Sequence, residues 1–418
     1  MTGRSGERGR RVVVTGLGAV CPVGNTMPEA WDALLRGRSG VGPITLFDPA
    51  PFAVRIAGEV KGFSIAGRVD AKQARHMDRH VQLAVVAAQE AVADAGLAVT
   101  AENRDRVGVM IGSAAGGIQT LLDAQKVLDA RGPDRVNPFF LPNFLADAAT
   151  GHVAILTGAA GPNMATVSAC ATGGHALGEA MHTIRRGDAD AMIAGGVDTV
   201  VMPITLAGFI NMKGLAADNE HPESASRPFD RDRGGFVISE AAAILILEEL
   251  EHARARDARI YAELVGYGAT DDAYHMFAQA EDGEGAARAM GRALASAGLD
   301  PDGIDYINAH GTGTPLNDRV ETAAIKRVFG QRAYRLAVSS TKSMTGHMMG
   351  ASGALEGAIC ALVIHHGVIP PTINLETPDP DCDLDYVPHE ARQARVGAAL
   401  SNSIGLGGHN ATVILQAV

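Results

Sequence analysis

Strand-like apolar runs and helix-periodic stretches alternate along this chain. Few architectures accommodate that alternation, and the one it favours is an α/β fold with helices packed on buried, mostly parallel sheets. A strand-like opening over residues 11–16, Arg-Val-Val-Val-Thr-Gly, is echoed by a second over residues 259–266, Arg-Ile-Tyr-Ala-Glu-Leu-Val-Gly. Each begins a block of later strands and helices, so the chain divides into residues 11–256 and 257–418. Residues 1–10 are polar and basic and read as a disordered tail. Residues 241–254 run from an apolar strand into a charged helix near the crossing between the blocks. Helical spacing of apolar positions marks residues 28–36, 78–95 and 283–298. Residues 112–151 and 202–235 break the rhythm, read as loop-rich, and carry Phe139, Phe140, Phe144 and Phe209.

Composition excludes several classes of function. Glycine accounts for 50 of 418 residues without any low-complexity run, which points to tight turns and close backbone approach. A net charge of −11 argues against a nucleic-acid partner. The four cysteines, Cys21, Cys170, Cys360 and Cys382, show neither a zinc spacing nor a secreted disulfide framework. The start lacks the apolar centre of a signal peptide, and no apolar run is long enough to span a membrane, so a cytoplasmic location is expected. Gly16-Leu17-Gly18 after a strand hints at dinucleotide binding. The third glycine position is Cys21, however, and no acidic residue follows at the required distance.

The chemistry concentrates at three places. Cys170 lies in Val-Ser-Ala-Cys-Ala-Thr-Gly-Gly-His, residues 167–175. A strand-like lead-in over residues 163–168 precedes it, and helically spaced Ala176, Leu177, Ala180, Met181 and Ile184 follow. The thiol is thus expected at a helix N-terminus, where the dipole and free N–H groups favour a thiolate. Two histidines stand in Gly/Thr/Ser-rich turns after strand-like runs: His310 in Asn-Ala-His-Gly-Thr-Gly-Thr-Pro and His347 in Lys342-Ser-Met-Thr-Gly-His. A cysteine at such a junction with two imidazoles fits nucleophilic acyl chemistry.

As a set, these elements resemble the elongating β-ketoacyl-acyl-carrier-protein synthases, the KAS I/II class of the thiolase superfamily. Ala194-Gly-Gly-Val-Asp198, Ser226-Arg-Pro-Phe-Asp230, Asp272-Ala-Tyr-His-Met276, Pro370-Pro-Thr-Ile-Asn374 and Ser401-Asn-Ser-Ile-Gly-Leu-Gly-Gly-His-Asn410 extend the resemblance nearly end to end. It implies a duplicated, five-layer αβαβα thiolase-like fold, no cofactor, and no membrane or nucleic-acid partner. The implied partners are an acyl carrier protein bearing acyl or malonyl groups and an identical or related subunit.

The implied reaction is a decarboxylative Claisen condensation. Cys170 would take the acyl chain, and the backbone N–H groups of Cys170 and Ile404 would form the oxyanion hole. Neutral His310 and His347 would steady the enolate, and Lys342 would support the site electrostatically. Thr312 and Thr314 would bond the pantetheine arm. Ala115, Phe209, Ile404 and Leu406 would shape the acyl pocket and its gate, with the two loop-rich segments as caps. Lys72, Arg75, Arg135 and Lys213 would dock the carrier. Asn308, Glu356, Ser401 and Asn402 match positions that surround a structural monovalent cation in some relatives; no other metal is implied.

Three departures bear on the pathway: Ser239-Glu-Ala-Ala242, Ile404-Gly-Leu406 where Phe-Gly-Phe is common, and Ala115 in place of an isoleucine. They lean the reading toward a type II polyketide, polyene or specialised fatty-acyl pathway. Housekeeping fatty-acid elongation is the alternative. A non-catalytic chain-length factor is remote because Cys170 is present. A degradative thiolase would need a second cysteine near residues 401–410, which has none.

Overall fold

The computed structural model describes residues 9–418. Most of the expected disordered tail, residues 1–8, lies outside the described residues. Arg10, assigned to that tail, is instead tied down: its guanidinium donates to Ala189 O at 3.0 Å and pairs with Asp190.

Ten strands hydrogen-bond in one continuous order as two five-stranded sheets joined at a seam. The first block supplies β1 (Val12–Val20), β2 (Val107–Gly112), β3 (Asn163–Met164), β4 (Ala191–Thr199) and β5 (Glu240–Glu249). The second supplies β6 (Ala262–Asp271), β7 (Tyr306–Asn308), β8 (Ala337–Ser339), β9 (Ala398–Ile404) and β10 (His409–Gln416). The spatial order is β8-β7-β9-β10-β6-β1-β5-β4-β2-β3. Ranked by sequence within its own block, each set of five runs 3-2-4-5-1, with the same pattern of parallel and antiparallel neighbours. The duplication that sequence identity is too weak to reveal is therefore explicit in topology. The two sets join where Val13 and Val14 of β1 pair with Glu263 and Ala262 of β6.

The sheets are mixed, not mostly parallel as the sequence reading has it. β9 and β10 are linked only by residues 405–408, a connection short enough for a hairpin and far too short for a parallel crossover. Helix α1 (Arg79–Ala95) covers the outer face of the first set. Segment 112–151 also departs from expectation, since it contains α2 (Ile118–Arg131), a helix none of whose residues is buried. Its apolar residues face no core, with Leu121 42% exposed, so the periodicity gives a weak signal.

Between the sheets lie α3 (Thr172–Arg185) and, far downstream, α7 (Ser352–His366), which pack on each other and on both sheets. Segment 202–235 contributes α4 (Pro203–Asn211), again where loop was expected. On the outer face of the second set lie α5 (Glu284–Ala297) and α6 (Pro315–Phe329). The result is the five-layer αβαβα arrangement. Every residue of α7 from Ser352 to Val363 is buried, as a helix enclosed on all sides requires. Among the described residues, no helix is long and apolar enough to cross a membrane.

Tyr267 of β6 lies flat on α3 at Gly178, where an added Cβ would sit 2.3 Å from ring carbons. The phenol oxygen meets His175 Nδ1 at 2.6 Å. Gly178→Ala is expected to lower unfolding stability by about 1–3 kcal/mol through overpacking, measured by denaturant titration. A gain in stability, as helix propensity alone would give, would contradict this packing.

Candidate active site

Cys170 occupies a single 3-10 turn, Ala169–Ala171, directly ahead of α3. The strand before it ends at Met164, earlier than expected, and Ala169 takes the left-handed conformation with φ 49°. That strain turns the chain so that the thiol is presented at the start of the helix. His310 follows β7, and His347 follows the short helix Lys342–Thr345 after β8. The fold thus brings residues from both blocks together: His347 Nε2 lies 3.0 Å from Cys170 Sγ, and the His310 and His347 rings are 5.3 Å apart at 85°.

Each histidine is held by groups that the sequence reading did not single out. Glu321 on α6 accepts the backbone N–H groups of His310 and Gly311, each at 2.8 Å. Its carboxylate is fully buried. Ser352 Oγ lies 3.1 Å from His347 Nδ1 and accepts the Met348 N–H. Its own proton can then go to Nδ1, leaving Nε2–H toward the sulfur. Phe236 packs edge-on to the His347 ring at 5.3 Å. Asp198 accepts Ser113 Oγ–H and the N–H groups of Ala114, Ala115 and Gly350, which fixes the wall beside Cys170.

Burial sets the charges. It holds both imidazoles well below the usual histidine range, reinforced by the nearby Lys342 ammonium, so both are neutral. For Cys170, burial acts against the expected thiolate: it pushes the thiol up to about 11, outweighing the Leu406 N–H and Lys342. Lys342 is buried in an ion pair with Glu356. Burial raises that carboxyl to about 7 against the pull of the ammonium.

A cavity of ≈ 640 Å³ opens above the three residues. Phe209, Thr312, Thr314, Ile404, Leu406 and Lys213 line it, and the two threonine hydroxyls are 3.0 Å apart. One expected role shifts. Ile404 is the last residue of β9, in register with Asn410, whereas the Leu406 N–H lies beyond the strand and within hydrogen-bonding reach of the Cys170 sulfur. The backbone N–H that faces the sulfur is thus that of Leu406 and not that of Ile404. Ala115 is absent from the cavity wall and sits instead in the apolar cluster that includes Cys170 and Phe209.

The expected basic patch is divided. Arg75 and Arg135 share a separate hollow beside the His76–Phe139 stack, Lys72 lies on the short helix Ala71–Ala74, and Lys213 stands at the cavity. Asn308 Oδ1, Glu356 Oε2 and Ser401 Oγ are buried without partners, and Ser401 is in register with Asn308. These orphaned oxygens fit a small oxygen-ligated cation. Asn402 contributes less, because its amide already bonds Glu321 and Thr412.

A protonated resting thiol has a measurable signature. Iodoacetamide alkylation of Cys170 is expected to accelerate roughly tenfold per pH unit from about pH 7 to about pH 9.5, because only the thiolate reacts. A plateau below about pH 7 would mean that the thiolate is stabilised after all.

Comparison with known proteins agrees with this geometry. Residues 9–253 match the family described as Beta-ketoacyl synthase, N-terminal domain, and residues 261–376 match Beta-ketoacyl synthase, C-terminal domain. A relative from Synechocystis sp. named 3-oxoacyl-[acyl-carrier-protein] synthase 2 is 52% identical over 407 residues, 97% of this chain and 98% of the relative. Among solved structures, the ishigamide ketosynthase/chain length factor superposes with TM-score 0.90 at 39% identity, covering 98% of this chain and 100% of that one. A type II PKS acyl-carrier protein in complex with its ketosynthase bound to the hexaketide gives TM-score 0.89 at 36% identity, with the same coverage. The chain belongs to the β-ketoacyl synthase family of ketosynthase enzymes.

Proposed function

We propose that this protein elongates acyl chains on an acyl carrier protein by decarboxylative condensation, within fatty-acid elongation. The observation that carries the reaction is the Cys170 Sγ–His347 Nε2 contact of 3.0 Å, with His310 beside it at the floor of the cavity. The pathway reading departs from the specialised one favoured by the sequence. The fatty-acid-type relative is 52% identical, against 39% and 36% for the polyketide-type structures.

In the first stage, the sulfur of Cys170 attacks the carrier-bound thioester. The carbonyl carbon gains a bond to Cys170 and loses its bond to the pantetheine sulfur, which takes the thiol proton. The Cys170 and Leu406 N–H groups receive the transient oxyanion. In the second stage, malonyl-carrier loses CO₂ and its electron pair becomes an enolate. Neutral His310 and His347 donate N–H to that oxygen, since a charged imidazole would surrender its proton too readily. The enolate carbon then attacks the acyl carbonyl, and the sulfur leaves and regains a proton. Lys342 biases the site toward negative charge from behind the cavity. Asn308 Oδ1, Ser401 Oγ and the Glu356 oxygen not taken by Lys342 would hold the cation.

Carrier docking must overcome a net charge of −11. Lys213 at the cavity, Arg75 and Arg135 in the second hollow and Lys72 on the short helix Ala71–Ala74 offer the basic groups for it. We further infer a twofold pairing of subunits through edge strand β3. Its Met164 is 50% exposed, with Val167 and Ile155 beside it at 60% and 77%. Sedimentation would read this as a doubled mass.

The decisive assay supplies malonyl-carrier and a ladder of saturated acyl-carriers to the protein alone. His310→Ala and His347→Ala are each expected to keep Cys170 acylation while condensation falls by roughly 10²–10³. Wild-type rates in both variants would refute the mechanism. A strict need for a second, different subunit would favour the specialised pathway.

A further inference from the structure

Three metal-ligating groups converge at the cavity floor: Cys170 Sγ, one ring nitrogen of His310 and one of His347, all within 4.8 Å of one another. It is the one such cluster among the described residues. We propose that this floor binds a thiophilic d¹⁰ cation, with Zn²⁺ as the case in point, and that its occupation silences Cys170.

The geometry needs little adjustment. Bonds of about 2.0–2.3 Å at tetrahedral angles put neighbouring donor atoms about 3.5 Å apart. Sγ and His347 Nε2 are already at 3.0 Å, so a small outward rotation makes room for an ion between them. One thiolate and two imidazoles form a borderline-to-soft donor set that suits Zn²⁺ and not the hard cations. The oxygen-rich group around Asn308 and Glu356 has the opposite preference, so the two sites do not compete for one ion. Three protein ligands with an open fourth position is the arrangement of solvent-accessible zinc sites rather than of closed structural ones. Here the fourth position faces the ≈ 640 Å³ cavity, which gives both an entry path and space for a water or anion.

The outer shell is also in place on one side. Once His347 Nε2 carries the ion, Nδ1 bears the proton and Ser352 Oγ, 3.1 Å away, accepts it. The exchange balances simply: the thiol S–H bond breaks, a zinc–sulfur bond forms, and the proton passes to solvent. The ion's remaining charge is eased by an anion in the open position, and the nearby Lys342 is held in its ion pair with Glu356. Cys21, Cys360 and Cys382 are buried away from the cavity and serve as internal controls.

The test incubates the purified protein with zinc chloride, follows carbamidomethylation of each cysteine by peptide mass spectrometry, and counts bound zinc by native mass spectrometry. The expected result is one zinc per chain and alkylation of Cys170 slowed at least about tenfold, reversed by a chelator and not reproduced by magnesium. Cys170→Ala and His310→Ala are each expected to weaken zinc binding by about 10-fold or more, and comparing the two keeps the answer if one variant folds poorly. An unchanged alkylation rate at saturating zinc would overturn the proposal. So would stoichiometric zinc that persists with the same affinity in both variants.

Discussion

The reactive centre depends on one close backbone contact between two helices. Gly173 at the start of α3 lies so near α7 that an added Cβ would sit 2.6 Å from Ala354 N and 2.7 Å from Gly350 O. Gly353 meets α3 in return, with its would-be Cβ 2.6 Å from Gly174 N. Only hydrogen on these α-carbons allows the two N-termini to approach so closely. Cys170 stands just ahead of one helix and His347 just ahead of the other, so this contact sets their 3.0 Å separation. The sheets on either side hold both helices in place. A duplicated fold thereby builds a single site from two halves, each contributing a turn at the head of its central helix.

The same enclosure governs the electrostatics. Removing the imidazoles and the thiol from water disfavours their charged forms, so the site rests as neutral donors and a protonated nucleophile. The charges that remain buried are compensated. Glu321 and Asp318 accept backbone N–H groups of the His310 loop, Asp198 accepts those of the opposite wall, and Lys342 pairs with Glu356. Such carboxylates act as fixed clamps on glycine-rich turns that would otherwise be too mobile to hold two rings at a set angle.

The sequence was most legible where chemistry and local structure coincide. Cys170, His310 and His347 each follow a short strand and sit in small-residue turns, and the structure brings them together. The strand openings near residues 11 and 259 mark the two repeats, although only topology reveals that the repeats share one strand order. Less legible were features that depend on tertiary enclosure. The helical pattern of α2 has no buried face to advertise it. Glu321 and Ser352 look like ordinary surface and helix-start residues until burial is known. The choice between Ile404 and Leu406 as backbone donor turns on where β9 ends, two residues that sequence alone cannot separate. The thiol is hard to read because a helix N-terminus and burial pull in opposite directions, and burial is the larger effect here.

The central claim is that one of four buried cysteines is the acyl acceptor because the fold opens only that thiol to the cavity. Peptide mass spectrometry after brief incubation with an acyl-carrier, without malonyl-carrier, measures this directly. The account expects a single acyl adduct on Cys170, with Cys21, Cys360 and Cys382 unmodified. An adduct on any of those three with Cys170 free would contradict it.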